Sequence, residues 1–284
     1  MGSVLAVDIG GTKIAAGIVT EAGAIVRKAS APTPGDDLFD RLVALVEEVR
    51  DGGDDEDVTV CGVGCGGPMT VGGEQVSPLN IPQWRGFPLR RRLAEATGLT
   101  TVVDNDAKAL ALGEGWVGAA TGVDNFIGMV VSTGVGGGIV LDGRLLDGAS
   151  GNAGHIGHVI VVPDGRPCPC GARGCLEAEA SGTALAARTG RPAAAADRRL
   201  KADTGTLVGR AVASVANLLD LQLAVVAGSV ALGFGEPFFT AAQAEIDRSA
   251  RLDFARGTRI VPGALGPDGP LIGAAALVVG SLRR

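Results

Sequence analysis

Apolar and polar positions alternate with two different periods along the first third of the chain. Leu38, Leu42 and Leu45 recur at helical spacing, which predicts a helix that begins at Asp36 and Asp37. Short apolar runs bounded by glycine and aspartate predict strands instead, and a glycine-rich turn joins the first two as a hairpin. The predicted strands are 4–7, 14–19, 58–63 and 100–103, with helices at 88–98 and 107–114 and a polar loop at 51–57.

The second half of the chain opens with the same pattern. Apolar runs at 126–131 and 139–141 flank the glycine-rich segment 132–138, so each half begins with a strand, a glycine-rich turn and a returning strand. The remaining predictions are helices at 206–221, from Pro237 and at 271–282, strands at 223–227 and 258–261, and a helix or linker at 193–196. Strands that alternate with helices predict an α/β fold, here with two duplicated lobes.

Composition and charge narrow the class of protein. The 284 residues are 46% hydrophobic and 20% charged, which suits about two domains with packed cores. The net charge is −6 and only the arginines at 90–92 approach a basic patch, so nucleic acid is not an expected partner. The apolar run 271–280 is too short to span a membrane, and no secretory signal is visible. Five cysteines, an odd number, argue against a disulfide framework, and we expect a cytoplasmic protein.

The glycine-rich segments 8–13 and 132–138 are candidate phosphate sites. Neither matches a P-loop, and the second leads into a strand, whereas a dinucleotide-binding loop opens a helix. Exposed backbone amides beside a threonine hydroxyl suit a phosphate, and Asp8 could hold Mg²⁺ through water. The alternative is that both segments are ordinary hairpin turns.

Asn105 and Asp106 lie where a predicted strand ends and a predicted helix begins, the position at which α/β sheets bind ligands. The helix N-terminus keeps a carboxylate ionised, so Asp106 can accept a hydroxyl proton as a general base. The alternative is that Asp106 only caps the helix.

Both histidines of the chain, His155 and His158, precede a cysteine-rich loop. Cys168, Cys170 and Cys175 lie within eight residues of one another, which fits zinc ligation, and one histidine completes a tetrahedral structural set. The alternative is a loop of unpaired thiols. The other two cysteines, Cys61 and Cys65, lie in or just after an apolar strand and are interpreted as inert core residues.

These motifs together resemble the ROK family (repressors, open reading frames and kinases) from residue 4 to about residue 280. Residues 131–139 followed by Gly148, Gly154 and Gly157-His158 fit the family's signature throughout. Segment 8–13 resembles its first phosphate motif, 225–231 its adenosine motif and 168–177 its zinc loop.

The resemblance implies a two-lobed actin/hexokinase-like ATPase fold with ribonuclease H-like lobes and a structural zinc loop. The implied lobes are 1–115 and 116–270, with 271–284 packed back on the first, and with the zinc loop and a dimerisation surface on the second. The implied activity is ATP-dependent phosphorylation of a hexose, with glucose as the leading substrate, at its 6-hydroxyl. Mg²⁺, structural Zn²⁺ and a homodimer or homotetramer are implied as well.

The resemblance also assigns roles to individual residues. Asp106 is the implied general base. The implied hexose contacts are Gly67, Asn80, Asn105, His155, His158 and Glu177. The implied nucleotide contacts are Asp8, Gly10, Gly11, Thr12, Lys13, Thr133, Gly134, Gly228 and Ser229. The implied zinc ligands are His158, Cys168, Cys170 and Cys175.

The chain departs from the family at one position. Sugar kinases of the family usually have Gly-Glu-x-Gly-His where this chain has His155 in place of the glutamate. A neutral imidazole offers one donor and one acceptor, whereas a carboxylate only accepts, so an N-acetyl- or amino-hexose or another polyol is the alternative substrate. A sugar-binding protein without catalysis is an alternative of another class. A regulator of the family would carry a helix-turn-helix before these motifs, and with seven residues before Asp8 we expect a kinase rather than a regulator.

Overall fold

The computed structural model describes residues 2–35, 37–51 and 58–282, so Asp36 and most of the predicted loop 51–57 lie outside it. The strands are β1 (Val4–Ile9), β2 (Lys13–Val19), β3 (Ile25–Pro32), β4 (Val60–Cys65), β5 (Thr100–Asn105), β6 (Phe126–Val131), β7 (Val135–Leu141), β8 (Arg144–Leu145), β9 (Leu223–Ala227) and β10 (Arg259–Pro262). The helices are α1 (Leu38–Arg50), α2 (Leu89–Thr97), α3 (Asp106–Val117), α4 (Leu176–Ala180), α5 (Gly182–Thr189), α6 (Arg198–Leu219), α7 (Ser229–Phe234), α8 (Glu236–Ser249) and α9 (Gly269–Leu282). Among the helices of the described ranges, none combines the length and apolar character of a membrane span.

The chain divides into two compact units. Unit 1 comprises Met1–Gly118, Asp147–Ala153 and Leu265–Arg284, and unit 2 comprises Ala119–Leu146 and Gly154–Ala264. Residues 147–153 therefore belong to unit 1, although the sequence analysis assigned that stretch to the second lobe. An ion pair of 2.9 Å between Lys108 of α3 and Asp147 explains the difference.

Each unit is built on a five-stranded sheet, and the two sheets share one topology. Strand order is β3-β2-β1-β4-β5 in unit 1 and β8-β7-β6-β9-β10 in unit 2. In both sheets the first three strands along the chain pair antiparallel. The fourth strand pairs in parallel with the first, and the fifth pairs in parallel with the fourth. This confirms the duplication predicted from the two hairpins. The short strand β8 and the exposed strand β3 were not predicted, since neither shows a clear apolar run.

The sheet of unit 1 is covered on both faces. Leu5 and Val7 of β1 share a core with residues of α1, while Val4 and Ala6, which point the other way, share one with residues of α9. The absence of charge along α9 follows from its burial. Gly62 of β4 permits the close approach, because a Cβ there would lie 2.0 Å from the Ala274 carbonyl oxygen.

The core of unit 2 pairs two long helices with its sheet. Glycines of α6 let α8 come close, because a Cβ at Gly205 would lie 2.1 Å from the Phe238 carbonyl oxygen. The predicted helix 206–221 in fact begins at Arg198, where Asp197 caps it by accepting a hydrogen bond of 2.8 Å from the Leu200 amide. Residues 193–195 form a short 3₁₀ turn in the segment between α5 and α6, which agrees with the predicted helix or linker at 193–196.

Candidate active site and metal centre

Three adjacent parallel strands of unit 1 end at the same edge and bring two carboxylates together. Asp8 of β1 pairs with Gly64 of β4, which in turn pairs with Asp104 of β5. A Cβ placed on Gly64 would lie 3.8 Å from Asp8 Oδ1 and 3.6 Å from the Asp106 Cα, so Asp8 and Asp106 flank this glycine. The carboxyl ends of parallel strands are where open α/β sheets bind ligands.

Capping of α3 falls to Asn105. Its Oδ1 accepts hydrogen bonds from the amides of Ala107 at 3.0 Å and Lys108 at 3.3 Å. Asp106 is the first residue of the helix, and its side chain is exposed. Its Oδ1 accepts a hydrogen bond of 2.8 Å from the Ala107 amide. The alternative in which Asp106 is the cap residue is therefore wrong. A carboxylate in the first turn is stabilised by the helix dipole.

Asp8 has an unusual electrostatic environment. Burial, together with the negative charge of Asp106, raises the pKa of the Asp8 carboxyl to about 7, and the Lys13 ammonium group partly opposes this. Strongly shifted carboxyls cluster at functional sites. Carboxylate oxygens are also ligands that Mg²⁺ prefers, so Asp8 fits a hydrated magnesium ion.

The first glycine-rich turn (residues 10–13, the first turn) is held from within and from β3. The Gly10 amide donates to the Lys13 carbonyl at 3.0 Å. Thr33, buried just beyond β3, donates its hydroxyl to the Gly10 carbonyl at 2.6 Å and its amide to the Thr12 carbonyl at 3.0 Å. No sequence signal pointed to Thr33, because its partners lie about twenty residues away.

The expected hexose contacts of unit 1 lie beside these groups. A Cβ on Gly11 would meet the Asn80 Cβ at 2.6 Å, so Asn80 packs directly on the first turn. A Cβ on Gly67 would lie 3.7 Å from Nδ2 of Asn105. The structure thus brings together all of the predicted residues that belong to unit 1.

Lys108 is a buried cation that the sequence analysis missed. Its side chain is 2% exposed, and its ammonium group lies 2.9 Å from carboxylate oxygens of both Asp104 and Asp147 and 3.2 Å from the Gly151 carbonyl oxygen. A charge this deeply buried requires such partners. The spacing of Asp104 and Lys108, four residues apart, was the only available signal.

The second glycine-rich turn (residues 132–134, the second turn) lies against the predicted adenosine motif in unit 2. The hydroxyls of Ser132 and Ser229 are 2.9 Å apart. Gly228 has φ +99°, and a Cβ there would lie 2.4 Å from the Val131 carbonyl oxygen, so only glycine suits this position. Residues 135–138, predicted as part of the turn, begin β7 instead.

Four predicted metal ligands form one cluster. The donor atoms of His158, Cys168, Cys170 and Cys175 all lie within 4.8 Å of one another. His158 Nδ1 is 3.6 Å from Cys168 Sγ, and the sulfurs of Cys170 and Cys175 are 3.7 Å apart. Tetrahedral zinc with bonds of about 2.3 Å to sulfur and 2.0 Å to nitrogen requires separations of about 3.5–3.8 Å, so the cluster fits zinc.

Cys175 shows the electrostatic environment of the cluster. Burial, with the adjacent thiols of Cys168 and Cys170, raises the pKa of the Cys175 thiol to about 12. A bound cation reverses this tendency, because it favours the thiolate that ligates it.

The other two cysteines lie in unit 1, outside the cluster. Cys61 and Cys65 are fully buried there, as expected for core residues.

His155 and Glu177 flank the cluster. The rings of His155 and His158 are 6.2 Å apart, and His155 is exposed and supplies no atom to the four-ligand group. Glu177 makes an unexpected contact, since its Oε2 accepts a hydrogen bond of 2.8 Å from the Val135 amide directly after the second turn.

Comparison with known proteins extends these observations. The sequence model of the ROK family matches residues 4–281. A glucokinase from Thermotoga maritima is 41% identical over 187 residues, which span 64% of this chain and 58% of that protein's length. An N-acetylmannosamine kinase from Yersinia pseudotuberculosis is 38% identical over 253 residues, which span 83% of this chain and 86% of that protein.

Solved structures resemble the whole chain. A ROK family glucokinase from Streptomyces griseus, in complex with glucose and AMPPNP, has a TM-score of 0.83 at 32% identity and covers 97% of this chain and 99% of its own. A ROK hexokinase from Thermus thermophilus has a TM-score of 0.82 at 33% identity, with 99% of both chains covered. These likenesses confirm the predicted α/β fold.

Proposed function

The chain belongs to the ROK family, and on that basis we propose that it is an ATP-dependent sugar kinase that phosphorylates the 6-hydroxyl of a hexose. The observation that carries the proposal is the placement of Asp106, an exposed carboxylate at the start of α3 beside Asp8. Phosphoryl transfer needs an oriented hydroxyl and neutralised phosphate charge more than covalent help from the protein.

Asp106 is the general base of the proposed reaction. Its carboxylate accepts the proton of the hexose 6-hydroxyl as that oxygen attacks the γ-phosphorus, and the bond to the β-phosphate oxygen breaks to release ADP. Because Asn105 is the N-cap residue of α3, Asp106 is not needed as the cap of this helix. Asn105, Gly67 and Asn80 are proposed to contact hexose hydroxyls.

The proposed nucleotide contacts are the two glycine-rich turns and the adenosine motif. Gly10, Gly11, Thr12 and Lys13 of the first turn, and Thr133 and Gly134 of the second, offer amides, hydroxyls and one ammonium group to phosphate oxygens. Gly228 and Ser229 are assigned to the adenosine. Asp8 would hold Mg²⁺ through water, and the ion would neutralise phosphate charge.

Zinc is proposed as a structural ion held by His158, Cys168, Cys170 and Cys175. A tetrahedral set of four protein ligands leaves no coordination position open for a reaction. Its proposed task is to fix the loop that carries His158 and Glu177, which are assigned to hexose hydroxyls.

We also propose that the chain forms a homodimer or a homotetramer. Analytical sedimentation of the purified protein measures this oligomeric state.

Glucose is the leading substrate, and an N-acetylated hexose is the alternative. Sequence relatives of both kinds, a glucokinase and an N-acetylmannosamine kinase, are similar to this chain. His155 favours the alternative, because an imidazole can donate a hydrogen bond to an acetamido oxygen whereas a carboxylate cannot.

ADP formation measured across a panel of hexoses tests the proposal. The panel contains glucose, mannose, glucosamine, N-acetylglucosamine and N-acetylmannosamine, with 6-deoxyglucose as the matched control that lacks the acceptor hydroxyl. We expect at least one hexose to stimulate ADP formation far above the sugar-free rate, with a 6-phosphate identified by mass spectrometry. Stimulation by none of them, with hexose binding retained, would support the non-catalytic alternative.

A further inference from the structure

The second turn is anchored on both sides by hydrogen bonds within unit 2. On one side the start of α5 donates to its carbonyls, from the Gly182 amide to Ser132 at 2.7 Å and from the Thr183 hydroxyl to Thr133 at 3.0 Å. On the other side the Val135 amide donates to Glu177 Oε2 at 2.8 Å. The anchor on this second side is thus a side chain that the proposed function assigns to the hexose.

The fit between Glu177 and the turn is close. A Cβ on Gly134 would lie 2.8 Å from Glu177 Oε2. A Cβ on Gly157 would lie 2.3 Å from the Val135 carbonyl oxygen and 3.4 Å from the Glu177 Cβ, so the histidine-bearing segment packs on the same backbone. Any displacement of the Glu177 side chain therefore changes its contacts with residues 134 and 135.

The hydrogen bond from Val135 belongs to a strong class. An amide that donates to a carboxylate forms a charge-assisted bond, stronger than one between neutral groups. A carboxylate has about four acceptor positions, so one bond to Val135 leaves acceptor capacity for a hexose hydroxyl. One side chain can thus serve the backbone of the turn and the sugar at the same time.

We propose that Glu177 is a positioning residue for the second turn and thereby sets the affinity for the nucleotide, beyond its expected contact with the hexose. This inference rests on the proposed function, in which Thr133 and Gly134 bind the phosphates. Because Glu177 serves both ligands, we expect bound hexose to alter the affinity for the nucleotide. Thermodynamic reciprocity then requires the nucleotide to alter the affinity for the hexose by the same factor.

Three substitutions separate reach, charge and acceptor capacity. Glu177→Gln keeps an oxygen that can accept from the Val135 amide at the same distance. Glu177→Asp keeps the charge but is one methylene too short, and Glu177→Met keeps the length without an acceptor. Calorimetry measures the Kd of a non-hydrolysable ATP analogue with Mg²⁺ in the absence of sugar, and thermal unfolding verifies that each variant is folded.

We expect Glu177→Met and Glu177→Asp to weaken nucleotide binding about tenfold, the scale of one lost hydrogen bond to a charged group. Glu177→Gln keeps a neutral acceptor and should weaken it less, by about threefold. All three should raise the KM for the hexose. Nucleotide Kd unchanged in the Met and Asp variants, or weakened equally in all three, would overturn the inference alone. A wild-type chain that binds no nucleotide would overturn the proposed function and this inference with it.

Discussion

At the scale of single residues, Asn105 and Asp106 have different roles at the start of α3. Both were predicted as site residues because they join a strand to a helix, but asparagine and aspartate cap helices about equally well. Only the structure shows that Asn105 accepts from the amides of α3. The sequence therefore predicted the junction of strand and helix, and the structure was needed to show which of the two residues caps the helix.

Asp8→Asn tests the electrostatics of this edge. The pKa of Asp8 in the folded protein, about 7, exceeds its ordinary value of 3.8 because of burial and of Asp106. Folded protein therefore binds more protons than unfolded protein between these values, and stability falls as pH rises through this window. Asp8→Asn lacks this titrating carboxyl, so only the wild type loses stability as the pH rises. In metal- and nucleotide-free protein, the free energy of unfolding of the variant minus that of wild type should therefore increase from pH 4 to pH 8.

The gain amounts to at most about 4 kcal/mol, at 1.36 kcal/mol for each pKa unit. Chemical denaturation at several pH values measures it. Asp253→Asn is the matched control, since the Asp253 side chain is 93% exposed and should show no such growth. A stability difference between Asp8→Asn and wild type that does not change with pH would refute the electrostatic account.

His155→Glu tests the residue at which the chain departs from its family. The glutamate restores an acceptor-only group, so the ratio of kcat/KM for glucose over an N-acetylhexosamine should rise. The expected change corresponds to about 1–3 kcal/mol, the scale for a polar group that is left mispaired when the bound hexose covers it. Zinc content should not change, because His155 stands outside the cluster. His158→Ala is the control that removes a ligand of the cluster, and it should lose zinc.

An unaltered substrate ranking in His155→Glu would show that this histidine has no contact with the hexose. Loss of zinc from His155→Glu would show that the roles of the two histidines are exchanged.

At the scale of elements, both glycine-rich turns were predicted, while the groups that hold them were not. Thr33 holds the first turn and Glu177 holds the second, and each acts across more than twenty residues of sequence. Long-range side-chain contacts leave no periodic signal, so pattern analysis finds the turns and misses their anchors.

Cys170→Ser tests the loop that carries the metal cluster. Wild-type protein should contain about one zinc ion per chain, and the variant should lose it together with the order of residues 155–177, because a structural zinc site contributes folding energy directly. Elemental analysis and hydrogen exchange measure the two effects. Cys61→Ala removes a buried thiol of unit 1 and should keep its zinc.

Absence of zinc from wild-type protein purified without chelator would contradict the assignment. Retention of zinc by Cys170→Ser, with normal protection in 155–177, would do so as well.

At the scale of the whole molecule, the duplicated topology was the feature most easily predicted from the sequence. Each half begins with a hairpin across a glycine-rich turn, and the two sheets share strand order and pairing. The limits of the units were harder to predict, because an ion pair of the buried Lys108 with the exposed Asp147 ties residues 147–153 to unit 1. A buried lysine cannot be told from an exposed one by pattern alone.

The most direct test of the central claim is the turnover of Asp106→Asn with the preferred hexose and saturating ATP. If Asp106 is the general base, kcat should fall by about 10²–10⁴-fold, the range for general-base catalysis, while the thermal unfolding temperature and nucleotide Kd stay near wild type. A folded Asp106→Asn enzyme that keeps more than about a tenth of wild-type turnover would contradict the account.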